Sequence, residues 1–72
     1  MDIADIIEEE VNRFKGGETL ANSLRCAAVF VHEQFPDAVA SDFGDAAVSC
    51  GLHRQAAMNR WNEAKKNCGD DW

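Results

Sequence analysis

Apolar and polar positions along the chain alternate with the period of helices, and four such segments can be marked. In the first, Ile3, Ile6, Ile7, Val11 and Phe14 fall at i, i+3, i+4, i+8 and i+11, a single stripe on one helix face. Asp2 is a suitable N-cap, and Asp5, Glu8 and Glu9 lie near the positive end of the helix dipole. Arg13 and Lys15 occupy the opposite end, and Gly16-Gly17 ends the segment. The second segment runs from Leu20 to Gln34, with Thr19 as N-cap. Its main stripe is Leu20, Leu24, Ala27, Val31 and Phe35, and Ala28, Val29 and Phe30 widen the apolar surface. Pro36 stops it, because a proline steers the residue before it away from helical geometry.

Ser41 and Asp42 are the candidate N-caps of a third helix whose inner face is Phe43, Ala46, Ala47 and Cys50. Gly44 weakens this helix modestly, since glycine gains little from helix formation. Gly51 makes a corner, and Leu52 plugs it. A fourth helix starts near His53 or Arg54 and continues to Lys66 or Asn67, with Ala57, Trp61, Ala64 and Cys68 turned inward. Asp70-Asp71-Trp72 is expected to fray. Alternating patterns long enough for a strand are absent. The expected fold is all-α: one domain over residues 1–72, a compact bundle of four short helices ending in a helix-turn-helix.

Length narrows this further. A chain of 72 residues buries only about 60% of its unfolded surface, so its core is thin. Phe14, Phe30, Phe35, Phe43 and Trp61 are the candidate large core members. The stripe of Ile3, Ile6, Ile7 and Val11 on helix 1–15 is the candidate dimerisation element, because it exceeds what the remaining helices need. No apolar run approaches the ~20 residues of a membrane span, and the acidic start is unlike a secretory signal. A cytoplasmic protein is expected. Cys26, Cys50 and Cys68 are odd in number and widely spaced, which argues against a disulfide framework. Cys50-x-x-His53 lacks a second ligand pair, so neither metal nor cofactor is expected.

The formal net charge is −6, which opposes contact with nucleic acid until its distribution is considered. Residues 51–68 hold Arg54, Arg60, Lys65 and Lys66 against Glu63, a balance of +3, and the rest of the chain carries −9. With Ala57, Trp61 and Ala64 inward, the fourth helix presents Arg54, Gln55, Met58, Asn59 and Asn62. Arginine pairs two donors with guanine, and Asn or Gln pairs a donor and an acceptor with adenine. Lys65, Lys66 and Arg60 suit phosphate, which adds affinity without sequence information.

Residues 43–66 resemble the helix-turn-helix DNA-binding domains of small phage and plasmid regulators. Ala47, Gly51 four residues on, Leu52 and the small Ala57 carry the resemblance. It implies that His53, Arg54, Gln55, Met58 and Asn59 form the base-facing part of a recognition helix. Arg60 stands where that pattern has an apolar residue, with Trp61 one place later, so a rotated helix or a different turn stays open. The resulting expectation is a sequence-specific binder of double-stranded DNA, acting as a homodimer in transcription regulation. The alternative is an acidic adaptor or inhibitor, in which Asp2, Asp5, Glu8, Glu9, Glu10 and Glu18 bind a protein partner by imitating DNA charge. No nucleophile–base set or phosphate-binding loop can be nominated, so an enzyme is not expected.

Overall fold

The computed structural model describes residues 2–13, 19–69 and 72, and within them the chain is all-α. The helices are α1 (Ile3–Arg13), α2 (Leu20–Gln34), α3 (Ala40–Ser49) and α4 (Arg54–Cys68). Phe14, Lys15, Gly16, Gly17, Glu18, Asp70 and Asp71 lie outside the described residues, so the expectations placed on them are not addressed.

Each helix start is satisfied by a nearby side chain. Asp2 accepts from the amide of Asp5 at 2.9 Å, and the Asp5 carboxylate accepts from the Asp2 amide at 3.3 Å, a reciprocal box. Thr19 caps α2 by accepting from the Asn22 amide at 3.2 Å. The start of α3 differs from the expectation. Val39, not Ser41 or Asp42, is its N-cap, and Asp42 sits one turn inside, where its carboxylate accepts the Val39 amide at 3.0 Å. An aspartate at the third helical position neutralises an orphan donor as well as one at the cap does, so the helix extends towards Pro36.

α1 packs on α2 and α3, and α4 packs on α2 and α3, which places α1 and α4 diagonally across the bundle. α2 and α4 run in the same direction. Leu20, Ala21 and Leu24 share a cleft with Ala56, Asn59 and Arg60, and Arg25, Cys26 and Val29 share the next with Ala64, Asn67 and Cys68. The core between them is Ile6, Ile7, Leu24, Ala27, Ala28, Val31, Phe43, Ala47, Ala57, Trp61 and Ala64. Ile6 and Ile7, expected as dimerisation residues, are buried within the chain itself; Ile3 and Val11 are half-buried against the same core. The isoleucine stripe is thus largely spent on folding one copy.

Two aromatic expectations are corrected. Phe30 is 38% exposed, because it lies just beyond the edge of the buried arc of α2, about 90° from its centre at 100° per residue. Trp72, expected in a frayed tail, is half-buried instead. Its ring stacks on His32 at 4.2 Å and meets Trp61 edge-on at 5.0 Å. A large indole gains by covering apolar surface, here between His32 and Trp61.

Cys50 ties α3 to α1 through its thiol, which donates to the Ala4 carbonyl at 3.3 Å. Burial first, then the carboxylates of Glu8, Asp2 and Asp5, push this thiol above its ordinary pKa of 9.0. The unfolded chain therefore loses the Cys50 proton first as pH rises. The stability this group contributes is present below pH 9.0 and falls above it. Urea midpoints at about pH 8 and about pH 10 are expected to differ more for wild type than for Cys50→Ala. Equal differences would remove Cys50 from the alkaline loss.

Candidate nucleic-acid interface

The hairpin of α3 and α4 turns at Cys50–His53. The Leu52 amide donates to the Ala47 carbonyl and the Gly51 amide to the Val48 carbonyl, each at 2.9 Å. This double closure needs a left-handed residue after the C-cap, and Gly51 supplies it at φ 81°. Leu52 then packs half-buried against the core. His53 opens α4 as its N-cap, with Nδ1 accepting the Ala56 amide at 3.3 Å. Because Nδ1 accepts, the neutral imidazole carries its proton on Nε2, a donor at the tip of the helix.

The inner face of α4 is Ala57, Trp61 and Ala64, each at most 3% exposed. Trp61 lies 5.2 Å from the Phe43 ring. The indole therefore takes the apolar place, and Arg60 is rotated out of it. The alanines on either side of Trp61 let α4 seat deeply between α2 and α3.

The outer face carries Gln55, Asn59, Asn62 and Lys66, all exposed. They fall within about 60° of one another at 100° per residue, a strip about three turns long. Gln55 donates to the Asn59 side chain at 3.0 Å, which pre-orders two amides while leaving the Gln55 oxygen and the Asn59 nitrogen available. His53, Arg54 and Lys65 are also exposed and flank this strip. Arg54 leans on α3, with Nε donating to Asp45 at 2.9 Å. Met58 is half-buried and lies over Gly44, where an added Cβ would come within 2.7 Å of the Met58 Cγ. Glycine at that position is thus the crossing point of the two helices rather than a defect in α3.

Arg60 is separated from the other expected contact residues. It is half-buried on the α2 side, paired with Glu63 at 2.7 Å. Glu63 also pairs with Arg25 at 2.7 Å, and Arg25 in turn donates to Asn22. A guanidinium held in such a network fastens α2 to α4 and is poorly placed to reach phosphate. Of the four bases in residues 51–68, Lys65 and Lys66 carry no ion pair among the described residues. The carboxylates of α1 are divided: Glu8 lines a cleft with Ser49, Cys50 and Leu52 at the hairpin corner, whereas Glu9 lines one with Phe30 and Gln34 on the α2 side.

Residue spacing alone did not disclose Gly44, Asp45, Arg25 or Trp72. A signal existed only for Glu63, three residues after Arg60 on one helix face. Among the described residues, no helix is long and apolar enough to cross a membrane. Comparison with protein-family models, curated proteins and solved structures finds no match.

Proposed function

We propose that the protein binds duplex DNA by laying α4 in the major groove, as a small sequence-specific regulator of the phage or plasmid kind. One observation carries the reading: the exposed strip of Gln55, Asn59 and Asn62, with Lys66 at its end, on a helix that follows a tight glycine corner. Side-chain amides on successive turns match the donor–acceptor pairs of adenine in the major groove, and a helix fits that groove. The roles are base contact for Arg54, Gln55, Asn59 and Asn62, with His53 at the helix tip and Met58 as an apolar edge for a thymine methyl. Lys65 and Lys66 take phosphate.

The test is fluorescence anisotropy of the purified chain with labelled duplex DNA across a salt series. With two lysines on phosphate, log K should fall with log salt at a slope of about −2 per bound copy. Lys66→Ala should lower affinity for all sequences alike and reduce the slope by about 1. Sedimentation of the complex gives the number of copies bound. No binding at low salt would sink the proposal.

A further inference from the structure

The two residues of α3 that touch Arg54 do so at different points of its side chain. Asp45 Oδ1 accepts from Nε at 2.9 Å. Gly44 lies under the stem, where an added Cβ would stand 3.0 Å from the Arg54 Cγ. The stem is thereby laid on α3 while the guanidinium is held by its inner nitrogen. The terminal nitrogens Nη1 and Nη2 are left over, and these two donors form the edge that pairs with guanine O6 and N7.

We infer that Gly44 and Asp45 form a shelf that orients Arg54 for bidentate contact with one guanine, so that Asp45 is a positioning residue for sequence readout. This rests on the DNA-binding reading above and deepens it. A free arginine has many rotamers and is drawn equally to phosphate. An arginine pinned through Nε has lost much of that freedom before binding and presents a planar pair of donors. The carboxylate also offsets the charge of Arg54, which weakens its attraction to phosphate while its hydrogen-bonding edge stays intact. Asp45 is itself mostly exposed, with 70% of its side-chain surface open. Such a surface pair adds little to folding stability. Its worth lies in geometry.

The prediction has opposite signs for two measurements. Selection from a randomised duplex pool should give wild type a position requiring guanine, and Arg54→Ala should abolish that requirement. Asp45→Ala should reduce the preference for guanine at that position about two- to fivefold. Its affinity for random duplex should rise, because a negative charge near the backbone is removed. Asp45→Asn keeps an acceptor for Nε and should retain most of the guanine preference while sharing the rise in random binding. A thermal melt unchanged by either substitution separates positioning from folding.

The outcomes divide cleanly. If wild type and Asp45→Ala select the same guanine with the same preference, the shelf is wrong and the DNA-binding reading stands. If Asp45→Asn loses the preference as fully as Asp45→Ala, charge and not orientation was at work, and the inference falls. If wild type binds no duplex, both fall together.

Discussion

Phe43→Ala should leave the chain largely unfolded at room temperature, with no cooperative transition in a thermal melt followed by circular dichroism. Phe43 is the largest of the fully buried side chains, and its ring packs 5.2 Å from that of Trp61. Truncating a buried phenylalanine costs about 3–5 kcal/mol, the upper end applying where the surroundings cannot collapse into the space. Collapse is restricted here because Phe43 packs against the rigid indole of Trp61 on α4. A single core in a chain of this size supplies about 3–5 kcal/mol in all. The loss therefore equals the whole. Phe43→Leu keeps most of the volume and should retain a cooperative melt at lower temperature. A melt for Phe43→Ala within a few degrees of wild type would show that the core does not depend on this ring.

The second large effect concerns recognition. The double substitution Gln55→Ala, Asn59→Ala should remove about 10²-fold of discrimination between preferred and random duplexes, while random-duplex affinity changes little. Both side chains are exposed and, among the described residues, hydrogen-bonded only to each other, at 3.0 Å, so the fold should not register their loss. Alanine is in fact the better helix former. Because the pair is coupled, each single substitution should cost more than half of the double. Competition anisotropy against the selected and a scrambled duplex gives the ratio directly, with a melt as control. If discrimination survives while Lys66→Ala still weakens binding, α4 would lie along the backbone without entering the groove.

Some features of this fold follow from neighbours along the chain, and others from contacts between distant segments. Helix limits were readable where a residue acts on its own neighbours. Thr19 caps α2 through an amide three residues away, and Gly51 turns the corner with its own left-handed backbone. The inward face of α4 was readable because apolar spacing on one helix needs no knowledge of its partner. Phe30 shows the limit of that reasoning. Its apolar character was plain, but which arc of α2 is buried depends on where α1 and α4 sit. Trp72 shows the reverse, an end residue whose partners His32 and Trp61 come from two other segments.

The candidate surface divides in the same way. Gln55, Asn59, Asn62 and Lys66 could be placed on one face from spacing alone, since helix geometry repeats. The use made of the arginines could not. Arg54 is committed to Asp45 across the hairpin, and Arg60 to Glu63 beside Arg25, so two of the four bases around the last helix are already neutralised. A charge count assigns each cation a sign but no partner. The sequence by itself determined four amphipathic helices, the glycine corner and the polar strip, because each follows from local backbone preference and a fixed helical period. Tertiary structure alone decided that the isoleucines of α1 close on their own chain, that Gly44 is the crossing point, and that Arg54 leans on Asp45. Those outcomes depend on contacts between segments, whose distances no local rule contains.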